Sequence, residues 1–178
     1  MALTTEISLR FLVALTLFQF LAFSRAQQCY ITGGAAIPKD VVRPEGITCL
    51  ARQTFRNVPD VQKNNLKWSA IDYRGARSSV AFVLQRFPIP QTSAADLVLA
   101  SELYDATGAS LRSNGDINNV KLIKGAQFCL AMQLGLLNKN DQAARRNLNK
   151  TIKNCAKCGN AEKAALAAID NALKSRGA

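Results

Sequence analysis

The chain has 178 residues, 48% of them hydrophobic and 7% aromatic, with five cysteines, no histidine and a formal net charge of +11. The lack of histidine excludes Ser-His-Asp and Cys-His catalysis, imidazole acid–base chemistry and every His-containing metal triad. Carboxylate chemistry remains open, as does binding to acidic partners through the positive excess.

Residues 1–26 read as a secretory signal peptide: a short lead to Arg10, an apolar run from Phe11 to Phe23, and a small-x-small cleavage site at Ser24-Arg25-Ala26. Residues 27–178 then form one mature domain, long enough to bury roughly two-thirds of the surface its unfolded chain exposes. No later segment reads as apolar for long enough to cross a membrane. The mature part carries 21 basic and 11 acidic side chains. Their distribution is uneven, with nine positive and three negative groups from Lys139 onward. Between Phe87 and Val120 the order reverses, since Asp96, Glu102, Asp105 and Asp116 face Arg112 alone.

In chain order, Gln28 to Thr32 suggests a short strand ending at Gly33-Gly34, and a Pro-interrupted loop follows through Pro38 and Pro44. Ile47, Leu50, Ala51 and Thr54 recur at helical spacing, which predicts a helix over 44–55. The middle reads as antiparallel sheet. Residues 68–73 and 79–87 make a hairpin pattern around Arg74-Gly75-Ala76-Arg77, and ADLVLASELYD, ASLRS, NNVKLI and AQFCLAMQLGLL are separated by turn signals at Gly108 and Asn114-Gly115. In the last of these, Phe128, Leu130, Met132, Leu134 and Leu136 alternate with residues that are mostly more polar. The C-terminal third changes period: a helix opening at Asp141 and a second over about 161–175 are separated by Gly159-Asn160. The expected fold is α+β: a β-meander of about five to six strands, one helix before it and two after it, stapled by disulfides into a single domain.

Cys29, Cys49, Cys129, Cys155 and Cys158 all lie in the mature part, where the secretory route favours bridges. An odd count leaves one thiol, either buried or available for an intermolecular link. Cys155-x-x-Cys158 falls at a helix end, a poor position for a redox pair, and zinc would need four ligands that this chain does not group together. On a helix, Cβ atoms three apart are about 5–6 Å from each other, beyond the roughly 3.5–4.5 Å of a bridge, so the two are expected to tie to different partners among Cys29, Cys49 and Cys129. No metal and no cofactor is called for by any motif, and no phosphate-binding loop or specific nucleic-acid motif is present in the sequence.

On a helical wheel, Ala144, Leu148, Ile152, Cys155 and Cys158 fall on one side, and Arg146, Lys150, Lys153 and Lys157 on the other. Such a face suits solvent or a polyanion bound as a line of point charges. Arg74 and Arg77, at a loop tip, are a further candidate partner contact. Asn149-Lys150-Thr151 is an N-x-T sequon, so Asn149 is a candidate glycan acceptor.

In size and composition the chain is similar to small, basic, cysteine-stapled secreted proteins that act as effectors, toxins or defence proteins, a likeness that assigns no residues. The expected function is non-enzymatic binding of an acidic protein or an anionic cell-surface polymer. Two other readings carry their own requirements. A membrane-active antimicrobial protein needs Leu166, Ile169 and Leu173 to leave the core for lipid. A carboxylate-dependent hydrolase needs a cleft holding two of Asp96, Glu102, Asp105 and Asp116.

Overall fold

The computed structural model describes residues 29–155 and 157–177, so the signal-peptide reading lies outside the described residues. It is a mixed helix-and-sheet domain in which helices dominate. Three strands, β1 (Thr48–Phe55), β2 (Val58–Lys63) and β3 (Leu66–Lys67), form one antiparallel sheet in the order β1-β2-β3. Asn57 and Asn64 sit at φ +60 and +51 in the two tight turns, the left-handed region that Asn tolerates better than most residues. Two short 3-10 turns, Trp68–Ile71 and Tyr73–Gly75, lead into five α-helices. These are α1 (Ser79–Arg86), α2 (Ala94–Ser113), α3 (Ile117–Leu137), α4 (Asp141–Lys153) and α5 (Asn160–Ser175).

Each helix start is chemically marked. Side chains of Ser78, Ser93, Asp116 and Asn140 accept hydrogen bonds from backbone N–H groups in the first turns of α1 to α4. At α5, Gly159 occupies the cap position and Glu162 reaches back to its N–H at 2.8 Å.

The sheet differs from expectation. Residues 48–55, expected within a helix, are the edge strand β1, and their apolar residues match helical spacing only because much of that strand faces water. Cys29 and Tyr30, expected in a strand, are helical. Residues 68–73, expected as the first strand of a hairpin, fall in the 3-10 turns, and the segments expected as the later strands of the meander are α1, α2 and α3. The reason is burial on several sides: α3 is packed by α1, α2 and α4, so apolar residues occupy most of its circumference and imitate a period of two. The two C-terminal helices, α4 and α5, stand where the sequence places them. By length and composition α3 also passes as a membrane span, contrary to the reading above; in this fold it is the central core helix.

Trp68 anchors the junction of sheet and helices. Its ring lies 5.1 Å from Phe55, 6.1 Å from Tyr104 and 6.4 Å from Tyr73, and Tyr104 donates a 2.7 Å hydrogen bond to the Ile71 carbonyl. The α3–α4 hairpin is tight: a Cβ at Gly135 would come within 2.8 Å of the Ala144 backbone N, so only glycine permits this crossing. The segment before β1 lies along α2, where Thr32 Oγ1 donates to Ser110 O at 2.8 Å and Ser113 Oγ to Gly33 O at 3.1 Å.

Two disulfides are formed, Cys29–Cys49 and Cys155–Cys158, with Cα–Cα distances of 5.3 Å in each. The second corrects the expectation that Cys155 and Cys158 join different partners. That expectation assumed a helix through both residues, but α4 ends at Lys153 and the pair sits in the turn before α5, where the chain can close on itself. Cys129 is the free thiol, fully buried on α3, and burial pushes its pKa up to about 12.

Candidate ligand-binding site

Helix α4 presents the expected inner face in part. Ala144 and Leu148 are buried, but Thr151 is buried in place of Ile152, which is 49% exposed. Because α4 ends at Lys153, the helical register does not reach Cys155 and Cys158, and the two cysteines are half-buried. Arg146, Lys150, Lys153 and Lys157 are all exposed, as is Asn149. The four ion pairs among the described residues are Lys63–Glu102, Arg74–Asp72, Lys174–Asp170 and Arg176–Asp141. None of them uses a cation of the α4 stripe or Lys157.

Arg74 and Arg77 have different surroundings. The guanidinium of Arg74 donates to Asp72 through Nε at 2.9 and 2.7 Å and to the Thr54 carbonyl at 2.6 Å. It also lies 4.3 Å from the Phe55 ring centroid, so its donors and its face are committed within the fold. The hydrogen bond it donates to Asp72 raises its pKa above the ordinary value, with burial opposing. Arg77 is exposed and shares a shallow cavity of about 100 Å³ with Tyr73, Cys155 and Lys157. Arg74 and Arg77 of the loop tip and Lys157, in the turn after α4, are far apart in sequence and meet in this cavity beside Cys155.

A larger cavity, about 520 Å³, opens between the loop around Asp40, α2, α3 and α4. Its walls follow helical spacing: Ser101, Asp105 and Arg112 from α2, Lys124, Gln127, Phe128 and Ala131 from α3, and Asn147 and Lys150 from α4. At its floor Gln127 Nε2 donates to Asp105 Oδ1 at 2.8 Å and to Tyr104 O at 3.2 Å. Arg112 Nη1 donates to the Gly108 carbonyl at 2.8 Å. A Cβ at Gly108 would lie 2.8 Å from Gln127 Nε2 and 3.0 Å from Arg112 Nη1, so the glycine makes room for this polar floor and does not mark a turn. Lys150 Nζ stands 5.2 Å from the Phe128 ring centroid, which holds its ammonium at the cavity lip.

Burial raises the Asp105 pKa from its ordinary 3.8 to about 6; the Gln127 hydrogen bond and the charge of Arg112 pull it down, and Glu102 pushes it up. Burial also lowers the pKa of Arg112, against the opposing charges of Asp105 and Asp40. Of the four carboxylates the hydrolase reading requires in pairs, this cavity holds Asp105 alone. Glu102 is bound to Lys63 at 2.7 Å, while Asp96 and Asp116 serve the first turns of α2 and α3. No group of three or more His, Cys, Asp or Glu side chains suited to a metal ion occurs among the described residues.

Arg112, Lys124 and Gln127 escape sequence reasoning because their grouping needs α2 and α3 to be helices. Once they are, Ser101, Asp105, Gly108 and Arg112 share one face at steps of four, three and four, and that pattern is legible in the chain.

The fold and site define a helix-rich α+β domain with two disulfides, a cationic helix face and a mixed polar cavity beside it. Residues 31–174 match the family model described as a domain of unknown function (DUF7143), and the chain belongs to that family. No curated protein and no solved structure matches it.

Proposed function

We propose that this is a secreted, non-enzymatic binding protein of effector-like or toxin-like type, whose cationic face meets an anionic cell-surface polymer. The observation that carries the reading is the α4 stripe of Arg146, Lys150 and Lys153, continued by Lys157, exposed and without a carboxylate partner among the described residues. Clustered cations left unpaired on one face create a local positive potential that attracts a polyanion and orients its approach. Secretion is supported by the apolar N-terminal sequence and by two disulfides, which persist in oxidising compartments.

An acidic protein is the alternative partner for the same face. Retention on a heparin column against an uncharged control resin tests the polymer reading. Lys150→Gln with Lys153→Gln should elute at lower salt than the native chain, whereas Arg52→Gln, on strand β1 and outside the stripe, should elute unchanged. Equal elution of the α4 double variant and the native chain would remove the reading.

The membrane-active reading has less support from the geometry, because Leu166 and Leu173 are buried and Ile169 packs against the core. Exposing them to lipid would cost the burial of two leucine side chains, about 2–3 kcal/mol each.

A further inference from the structure

The 520 Å³ cavity has the size of small-molecule sites, which run from about 300 to 1,000 Å³. Its lining specifies several features of an occupant. Arg112, Lys124 and Lys150 stand against Asp40 and Asp105, which leaves one net positive charge for a ligand to neutralise. Asp105 Oδ2 accepts no hydrogen bond among the described residues, and Gln127 spends its amide N–H groups on Asp105 and Tyr104, so its carbonyl oxygen is also unoccupied. Two acceptors at the floor call for hydroxyl or amine donors. Val41 and Ala131 add apolar surface suited to C–H groups.

From this arrangement we infer that the cavity holds one acidic pyranose unit, a sugar ring with hydroxyl donors and a single anionic group, free or at the end of a polysaccharide. The hydroxyls donate to Asp105 Oδ2 and the Gln127 carbonyl, the anionic group lies toward Lys124 and Lys150, and the C–H face of the ring rests on Val41 and Ala131. A neutral sugar leaves the net positive charge unmet. An inorganic anion with no hydroxyl group, such as sulfate, leaves the floor acceptors without donors. Lys150 belongs both to this cavity and to the α4 stripe, so a polysaccharide lying along α4 would reach the cavity with its terminal unit. The inference therefore deepens the proposed function and rests on it.

The test is calorimetric titration of the full chain with glucuronate, glucose 6-phosphate and glucose, run beside heparin-column retention of the same preparations. Glucuronate should bind at least tenfold more tightly than glucose. Lys124→Gln should weaken it by about tenfold, the scale of one charge-assisted hydrogen bond, while leaving the circular dichroism spectrum unchanged. Asp105→Asn, which keeps an acceptor for Gln127 but replaces the second oxygen with a donor, should weaken glucuronate too. Binding of glucose 6-phosphate in the same range supports the inference with phosphate as the anionic group. Glucose binding as tightly as glucuronate overturns it, as does glucuronate binding that both variants retain in full. No binding of either acidic sugar, with heparin retention intact, overturns the cavity assignment and leaves the polymer reading standing. Loss of both overturns the polymer reading itself.

Discussion

Asp105 gives the sharpest test of whether the cavity floor is arranged as described. Its folded pKa lies near 6 against an ordinary 3.8, because burial penalises the charged form more than Gln127 and Arg112 relieve it. The folded state therefore binds this proton more tightly than the unfolded chain does. Stability from this group is gained as pH falls from about 6 to 4, and is lost as pH rises through the same window. The shift of about two units corresponds to about 3 kcal/mol at full expression, at 1.36 kcal/mol per unit. Asp105→Asn cannot ionise and keeps a carbonyl oxygen for the Gln127 donor. It should therefore raise stability at pH 7.5 by about 1–3 kcal/mol and change little at pH 4. Urea unfolding of both proteins at pH 4, 5, 6 and 7.5 isolates the effect, since titrations of other carboxylates cancel in the difference. A difference that does not vary with pH would refute the reasoning, and so would a variant less stable at pH 7.5 than at pH 4 relative to the native chain. Gain of stability with loss of acidic-sugar binding is the pattern expected of a carboxylate kept buried for function.

Gly135→Val drives a side chain into the Ala144 backbone, which cannot move without shifting α4, and should cost about 1–3 kcal/mol in urea unfolding despite the better helix propensity of valine over glycine. Replacing both cysteines of Cys29–Cys49 by serine should cost about 3 kcal/mol, and replacing those of Cys155–Cys158 about 2 kcal/mol, because the loops closed span 20 and 3 residues in sequence separation. Equal thermal midpoints for the two double variants would contradict that ordering. Cys129 should resist alkylation by iodoacetamide at pH 8 in the folded protein and react on addition of denaturant, as a mass shift of one adduct.

The parts of the fold legible in the sequence are those with one wet face. In α4 and α5 the apolar residues fall on a single stripe and the charges on the other, so the helical period survives. Helices α2 and α3 are buried on several sides, so their apolar residues do not fall on a single stripe, and Gly108, Gly125 and Gly135 inside them serve close packing, which blurs the period and adds residues that read as turn signals. They were indistinguishable by pattern from buried strands. Strand β1 fails in the opposite direction: Arg52, Gln53 and Ala51 are exposed, so no alternation marks it. The α4 cations were legible for the same reason as the helix that carries them. The larger cavity is hidden because it lies between three helices, two of which the pattern disguises, and the sequence names its members Asp105, Arg112 and Lys150 only in separate readings that nothing joins.

The salt dependence of binding to a heparin oligosaccharide, followed by fluorescence anisotropy, tests the central claim most directly. Each cation that neutralises an anionic group releases counterions, so removing one lowers the slope of log affinity against log salt by about one. The account predicts that Lys150→Gln with Lys153→Gln lowers the slope by about two, while Lys174→Gln, whose ammonium is paired with Asp170 at 2.6 Å, leaves it unchanged. Equal slopes for the native chain and the α4 double variant would contradict it.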